Sequence, residues 1–197
     1  RWEGGWSNDP VDPGGATMKG VIQVEYNAYR QHNGLSSQTV RQISNAELLD
    51  IYKHNYWLPM RCDGMPAGLD LLAFDFAVNS GVGQAVKSLQ RVLGLAVDGH
   101  LGGVTMNTIA QAAPTQLIRS YMDERRRFLR NLKTFWHFGK GWMDRCDGVE
   151  AAALFAVTNC YKFFKAESAT TFYHAGNTVN ANHIFLEDFL FTRLVAT

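Results

Sequence analysis

The chain has 197 residues, of which 46% are hydrophobic, 19% charged and 12% aromatic, and its formal net charge is +1. A chain of this length can fold around its own core without disulfide or metal support. The small net charge gives no reason to expect a nucleic-acid partner, and no apolar run reaches the roughly 18 residues that a membrane span needs. We expect a globular monomer with no stable membrane span.

The cysteines and histidines give no sign of a metal site. Cys62, Cys146 and Cys160 are an odd number at wide spacings, and the six histidines form no HxxxH or HExxH pattern. At most one disulfide is compatible with this count. We therefore predict no metal, and we interpret Cys62 as buried and unreactive.

The first twenty residues, RWEGGWSNDPVDPGGATMKG, contain five glycines and two prolines. This composition predicts turns and at most a small β-hairpin. Helical spacing then runs from Val21 to Tyr29 and stops at His32-Asn33-Gly34. A Ser44-x-x-Glu47 capping box predicts the next helix, which Pro59 ends.

Most of the remaining chain shows helical periodicity. Leu69 to Phe76 carries an apolar stripe closed by Asn79-Ser80-Gly81, and Gln84 to Leu93 is followed by Gly94, a typical left-handed stop. We expect Asp70, Asp75 and Asn79 to be mainly core and cap residues. Further helices are predicted for 105–113, 115–132 and 149–157, with an aromatic and glycine-rich loop over 135–142. Helical periodicity returns only at 184–194, which is compatible with an added helix or a partner surface. The chain is therefore predicted to be mainly α.

A basic run extends from Arg119 to Arg145, where eight Lys or Arg face three acidic residues and the local net charge is +5. Runs of this kind are usually solvated helix faces, and we favour that interpretation. Binding of an anionic polymer is the alternative.

The turn-rich opening also carries two carboxyl groups with contrasting surroundings. A glycosidase commonly uses one protonated and one ionised carboxyl group on either side of the scissile bond. Glu3 lies between Trp2 and Trp6, whose apolar surfaces favour the protonated acid, whereas Asp12 lies among turn formers, where it stays ionised. The tryptophans could also stack on sugar rings. The alternative is a surface loop in which the Asp side chains only stabilise turns.

Two longer stretches of the chain are EGGWSNDPVDPGGATMKGV and YWLPMRCDGMPAGLDLLAFDFAVNSGVGQAVKSLQRVLGLAVDG. Together they resemble the family 108 glycoside hydrolases, which are lysozyme-like N-acetylmuramidases of phage endolysins and bacterial cell-wall enzymes. The second stretch is similar to the part containing the family's peptidoglycan-binding domain. The resemblance runs from Trp2 to about Ala156, and it implies a lysozyme-like helical fold.

The resemblance implies that Glu3, the glutamate of the Glu-Gly-Gly motif, is the catalytic acid. Phage lysozymes have a similar Glu-Asp-Thr series, which falls here on Glu3, Asp12 and Thr17, although Thr17 comes one residue early. No cofactor is required for such a reaction. The substrate-binding candidates around this motif are Trp2, Trp6, Asn8 and Asp9.

The second stretch implies a division of the chain. Residues 1–65 would be the catalytic region, 66–157 a peptidoglycan-binding helical region packed on it, and 158–197 an aromatic-rich tail with no assigned role. Leu89-Gln90, Leu93-Gly94, Val97-Asp98-Gly99 and Gly102 resemble a wall-binding motif, with Thr105 expected to cap the following helix. These positions either bind the wall or only hold the helices together.

The implied function is hydrolysis of the β-1,4 bond between N-acetylmuramic acid and N-acetylglucosamine in bacterial peptidoglycan. Such an enzyme acts on the cell wall, either as a periplasmic or secreted protein or as a phage endolysin made in the host cytoplasm. The alternatives are a non-catalytic peptidoglycan-binding module and a lytic transglycosylase, which also uses one glutamate.

Overall fold

The computed structural model describes residues 6–7, 16–159, 172–174 and 177–179. These residues fall into two compact units. The first unit draws its described residues from 1–53 and 170–197, and the second from 54–169. Helices dominate the described part, so the prediction of a mainly α protein is confirmed.

The first unit contains a small antiparallel sheet followed by two helices. The sheet has the strand order β1-β2-β3, and a separate hairpin pairs two further strands that the sequence analysis did not predict. The elements are β1 (Trp6–Ser7), β2 (Thr17–Met18), β3 (Val21–Ile22), α1 (Gln23–His32), α2 (Asn45–Tyr52), β4 (Phe172–His174) and β5 (Asn177–Val179).

Helix α2 begins as the sequence predicts. The Ser44 side chain accepts a hydrogen bond from the Glu47 backbone amide at 3.2 Å, and the Glu47 carboxylate accepts one from the Ser44 amide at 2.9 Å. This reciprocal pair satisfies two amides that have no partner inside the helix. After Tyr52 the chain continues through a π-helical turn at Lys53–Trp57, and the division between the two units falls within this turn.

The second unit is a helical bundle. It consists of α3 (Leu69–Ser80), α4 (Val82–Val92), α5 (Gly103–Gln111), α6 (Pro114–Arg130) and α7 (Phe135–Asn159), preceded by a short 3₁₀ turn at Cys62–Gly64. Helix α3 packs against α4, α6 and α7, and every residue from Leu69 to Ala77 is buried. An element covered on all sides is mostly apolar, which explains the run LDLLAFDFA, whose two aspartates are buried along with it.

Helix α3 approaches α7 very closely where α3 begins. Gly68, which precedes α3, has a φ of +83°, and a Cβ atom placed there would lie 2.2 Å from the Ala153 carbonyl oxygen. A side chain at this position would therefore meet α7 backbone, which cannot move aside as a flexible side chain could. Only glycine satisfies both the left-handed backbone and the close approach.

A buried ion cluster joins α3, α6 and α7. The Asp75 carboxylate lies 2.6 Å from Arg125 Nη1 and 2.8 Å from Arg145 Nη2. The side chains of Asp75 and Arg125 are each 1% exposed, so both charges are removed from water. Burial alone would raise the pKa of Asp75, but the two guanidinium groups outweigh it and hold that pKa below its ordinary value. Asp75 is thus a core residue, as expected.

Two local predictions in the second unit are wrong. The aromatic stretch 135–142 is helical and forms the first two turns of α7, because it extends a helix whose later turns, with Cys146, Val149 and Ala153, pack against the other helices. Thr105 does not cap α5: Gly102 occupies the N-cap position, and Thr105 lies inside the first turn, where it is buried.

Candidate functional site

Five of the predicted site residues lie outside the described residues: Trp2, Glu3, Asn8, Asp9 and Asp12. The two that are described, Trp6 and Thr17, lie on adjacent strands of the first unit's sheet. Ser7 pairs with Thr17, and Trp6 pairs with Met18. The segment between Ser7 and Ala16 therefore starts and ends at neighbouring points of the sheet.

The strand register places Trp6 and Thr17 on opposite faces. Directly paired residues project to the same face, and successive residues alternate. Thr17 pairs with Ile22 on β3, whereas Met18, the partner of Trp6, pairs with Val21. Val21 is buried, but Trp6 on the same face is exposed, and Thr17 and Ile22 on the other face are both half-buried. Thr17 therefore occupies a partly accessible face.

The Trp6 ring is held by a cation. The guanidinium carbon of Arg41 lies 5.5 Å from the ring centroid, and Trp6 is 36% exposed. A cation over a half-exposed indole contributes about 0.5–1 kcal/mol. Arg41 lies in the 3₁₀ turn Val40–Gln42, so this contact fixes the edge strand β1 to the turn that precedes α2.

The loop between β2 and β3 is tied to α2. Lys19 and Gly20 both have positive φ, at 49° and 79°, as a two-residue type I′ turn requires. The Tyr52 hydroxyl donates to the Lys19 carbonyl at 3.2 Å, and Lys19 Nζ donates to Asn45 Oδ1 at 3.0 Å. A Cβ at Gly20 would lie 2.7 Å from the Tyr52 oxygen. The strand that carries Thr17 is therefore fixed at its end.

Gln23 fixes the other end of the same strand. Its backbone amide donates to the Ala16 carbonyl at 2.9 Å, so the residue before Thr17 is anchored to the start of α1. Its side chain accepts from the Val40 amide at 2.7 Å and donates to the Gln38 carbonyl at 2.9 Å. Sequence analysis missed Gln23, Arg41 and Tyr52 as positioning residues, because nothing in their local patterns distinguishes them from other polar or aromatic surface residues.

Glu47 is a partly buried carboxylate in this unit, and its contacts exclude it as a proton donor. It accepts a hydrogen bond from the Tyr26 hydroxyl at 3.0 Å and forms an ion pair with Arg30, in addition to its contacts with Ser44. Burial would raise the pKa of Glu47, but the Ser44 and Tyr26 hydrogen bonds and the charge of Arg30 together lower it. A general acid needs the opposite shift. Glu47 is therefore structural.

A second tyrosine on α1 has a similar role. The Tyr29 hydroxyl donates to Asp50 Oδ2 at 3.0 Å, and burial together with this carboxylate raises the pKa of Tyr29 to about 12. Tyr29 is consequently a neutral hydrogen-bond donor at physiological pH. Together, the Tyr26 and Tyr29 contacts hold α1 against α2 and thereby support the sheet that precedes α1.

The stretch of the second unit that resembles a wall-binding motif is an internally hydrogen-bonded loop. Asp98 Oδ1 accepts from Gln90 Nε2 at 2.7 Å and from the His100 amide at 2.8 Å, while Gln90 Oε1 accepts from the Gly99 amide at 2.9 Å. Hydrogen bonds from the His100 amide and Gln90 lower the pKa of Asp98. Gln90 is buried and Gly99 has a φ of +80°. Gln90 and Asp98 therefore shape the turn between α4 and α5.

The basic run is not a solvated helix face throughout, and that interpretation is wrong for three of its arginines. Arg125 and Arg145 pair with Asp75 in the core. Arg126 Nη2 lies 2.6 Å from Asp147 Oδ1 and 2.7 Å from Glu150 Oε2 on the neighbouring helix α7. The sequence alone predicted that these three arginines are exposed, because the carboxylates that pair with them are distant in sequence or lie on another helix.

The prediction that Cys62 is buried and unreactive is confirmed. The thiol is free and fully buried, and burial raises its pKa well above the usual range, so it carries no thiolate at neutral pH. Within the described ranges, no group of three or more His, Cys, Asp or Glu side chains is arranged to hold a metal ion. In the same part of the chain, no helix is long and apolar enough to cross a bilayer.

Comparison with known proteins matches two consecutive ranges of the chain, the first of which extends past residue 53 into the second unit. Residues 1–81 match the family model described as Glycosyl hydrolase 108, and residues 84–147 match the one described as Predicted Peptidoglycan domain. The solved structure of Brucella abortus SagA is 37% identical, with a TM-score of 0.67 over 79% of this chain and 88% of that chain. The chain belongs to the glycosyl hydrolase 108 family.

Membership of the glycosyl hydrolase 108 family confirms the resemblance inferred from the Glu-Gly-Gly stretch and, with the helical structure, the lysozyme-like fold. A glycoside hydrolase match and a peptidoglycan-domain match on one chain make this protein a peptidoglycan hydrolase, which acts on the bacterial cell wall. A comparison with curated protein sequences finds no significant match.

Proposed function

We propose that this glycosyl hydrolase 108 protein is an N-acetylmuramidase that hydrolyses the β-1,4 bond between N-acetylmuramic acid and N-acetylglucosamine. The observation that carries the proposal is the match of residues 1–81 to the hydrolase family, which includes the Glu-Gly-Gly motif. In this proposal Glu3 protonates the glycosidic oxygen, and Asp12 orients water or stabilises the oxocarbenium-like transition state.

The sheet of the first unit supports this assignment of roles. Asp12 belongs to the segment whose ends, Ser7 and Ala16, adjoin paired strands. Thr17 directly follows that segment on a partly accessible face of the sheet, and we propose that its hydroxyl assists in holding the attacking water. Glu47 is committed to a structural ion pair, which leaves the acid role to a carboxyl group elsewhere in the unit.

A direct role of Trp6 in substrate binding has less support than the proposed catalytic role of Thr17. Arg41 already covers the Trp6 ring, so we propose that Trp6 shapes the edge of the cleft while Trp2, Asn8 and Asp9 contact the sugar. We propose further that residues 1–65 carry catalysis, that residues 66–157 hold the wall, and that the protein works as a monomer at the cell wall with no cofactor.

The decisive experiment measures the release of reducing ends from purified insoluble peptidoglycan. Glu3→Gln should lower the rate by about a hundredfold to ten-thousandfold, the usual contribution of a positioned general acid. Asp12→Asn should also lower it, whereas Asp123→Asn, at an exposed carboxylate of the second unit, should leave it unchanged. Equal rates for Glu3→Gln and the native chain would refute the assignment of Glu3.

The same digests distinguish the two alternative functions. A lytic transglycosylase releases 1,6-anhydromuramic products that lack a reducing end and are lighter by one water, which mass spectrometry detects. A non-catalytic binding module would pellet with the wall and release nothing. The expected result is fragments with a free muramic acid reducing end.

A further inference from the structure

The first two turns of α7 carry an aromatic cluster that no step of the proposed reaction uses. We define it as Phe135, Trp136, His137, Phe138 and Trp142. The rings form a connected series: His137 lies 4.4 Å from Phe138 between centroids, and Phe138 lies 5.7 Å from Trp142 at an interplanar angle of 30°. Trp136 contacts His137 at 5.2 Å, and Phe135 contacts Trp142 at 6.4 Å.

This aromatic cluster is unusually exposed. Trp136 is 84% exposed, the largest value for a large hydrophobic side chain in the part of the chain that the structure describes, and Phe138 is 50% exposed. Burying a side chain of this size would stabilise the folded chain substantially, and the exposed Trp136 and Phe138 do not provide that stabilisation in full. Trp136 and Phe138 are two residues apart on the helix, so they project from different sides and the exposed aromatic surface extends around the start of α7. Exposed aromatic surface of this kind is a typical mark of a binding site.

The cluster is held in place by the helix that carries it. Gly139 lies under the Phe135 ring, and a Cβ at that position would come 2.8 Å from the ring atoms. The helix begins with hydrogen bonds from the His137 and Phe138 amides to the Thr134 carbonyl, at 3.0 and 3.2 Å. A Cβ at Gly141 would meet nothing within 4 Å, so open space adjoins the cluster. The rings are thus presented on a regular helix.

We propose that the aromatic cluster is a sugar-stacking subsite that takes the glycan strand of peptidoglycan, away from the catalytic residues. This inference rests on the proposed function and extends it. Aromatic faces pack on the C–H faces of pyranose rings, while the indole and imidazole N–H groups at their edges can donate to hydroxyl and acetamide oxygens.

Composition and position favour a glycan over a lipid surface. A helix that enters acyl chains needs one continuous apolar face opposite a polar one, whereas in FWHFGKGW over 135–142 Lys140 lies one turn from Trp136 on the same side of the helix. The whole cluster lies within residues 84–147, the range matched to the peptidoglycan domain. Lys133 is exposed near the cluster in sequence and complements the carboxylates of peptidoglycan stem peptides, whereas Lys140 is paired with Asp144.

The test measures sedimentation with purified peptidoglycan sacculi in a Glu3→Gln background, which keeps the wall from being digested. The variant Trp136→Ala/Phe138→Ala should bind sacculi about tenfold more weakly or worse, as expected when central aromatic contacts are removed. Phe155→Ala is the matched control, since Phe155 lies on the same helix and is 52% exposed. It should change the affinity by less than about twofold. Unchanged melting temperatures would confirm that the variants fold.

Further measurements distinguish a failure of the subsite proposal from a failure of the muramidase proposal. Unchanged sacculus binding by the double variant, with reducing ends still released by the native chain, would overturn the subsite and leave the muramidase proposal intact. If the native chain neither pellets with sacculi nor releases reducing ends, both proposals fail. The protein should not sediment with vesicles of phosphatidylethanolamine and phosphatidylglycerol. Vesicle binding that requires Trp136 and Phe138 would overturn the proposal of a glycan ligand and indicate a membrane surface instead.

Discussion

The buried Asp75 cluster gives the sharpest test of how the second unit is held together. Asp75→Asn keeps the size of the side chain but removes the negative charge that faces Arg125 and Arg145. Removing one partner of a buried ion pair costs about 3–5 kcal/mol, because the remaining charge stays desolvated. Here two buried arginines lose the same counter-charge, so we expect the upper end of that range.

A loss of this size is easily measured. For a protein of this length, each kcal/mol shifts the melting temperature by about 2–4 °C, so Asp75→Asn should lower it by roughly 10–20 °C. Circular dichroism during thermal and urea unfolding measures this directly. Asp144→Asn is the control, because its pair with Lys140 is exposed and contributes at most about 0.5 kcal/mol. A cost below about 1 kcal/mol for Asp75→Asn would refute the role of the cluster.

The pH dependence gives an independent check. The pKa of Asp75 in the folded chain lies below its ordinary unfolded value of about 3.9. The ionised carboxylate therefore contributes its full stabilisation above that value, and the contribution disappears as the pH falls through the folded pKa. The difference in unfolding free energy between the native chain and Asp75→Asn should shrink on acidification. A difference that stays constant from neutral to acid pH would contradict this explanation.

Two other substitutions test the packing of each unit. Gly68→Ala should cost about 3 kcal/mol or more in urea unfolding, because its Cβ would overlap the Ala153 carbonyl, whereas Gly83→Ala, with nothing within 4 Å, should be neutral or stabilising. Glu47→Gln should destabilise the first unit by about 2–4 kcal/mol at neutral pH, since Arg30 loses its partner. That cost should diminish at acid pH, because the lowered pKa of Glu47 makes its contribution largest above the ordinary carboxyl range. A cost for Glu47→Gln that grows on acidification would contradict this.

The sequence predicted those elements whose signals are local. The Ser44 capping box and the left-handed stop at Gly94 depend on neighbouring residues, and the structure has both. The start of α7 was missed because Gly139 and its aromatic neighbours favour a loop locally, and only packing against other helices reverses that preference. Thr105 was misassigned because a glycine three residues earlier takes the cap.

The candidate site likewise has one feature that the sequence predicts and others that depend on residues distant in sequence. The Glu-Gly-Gly motif identifies the family without any coordinates, since it is a contiguous pattern. The residues that position the strand bearing Thr17 were not predictable, because Tyr52 reaches Lys19 across 33 residues and Gln23 reaches Val40 across 17. The core role of Arg145 depends on Asp75, 70 residues earlier, which no local charge pattern reveals. The catalytic roles of Glu3 and Asp12 stay predictions.

The internal use of arginine in α6 and α7 also changes how the protein should respond to salt. Arg125, Arg126 and Arg145 already have carboxylate partners, so the attraction of this unit for a charged polymer is weaker than a local charge of +5 implies. Adhesion to the wall that depends on ring stacking is little affected by ions, whereas adhesion through exposed charges fades as the Debye length shortens. With ring stacking as the proposed means of adhesion, the protein should therefore keep its hold on peptidoglycan across a wide range of ionic strength.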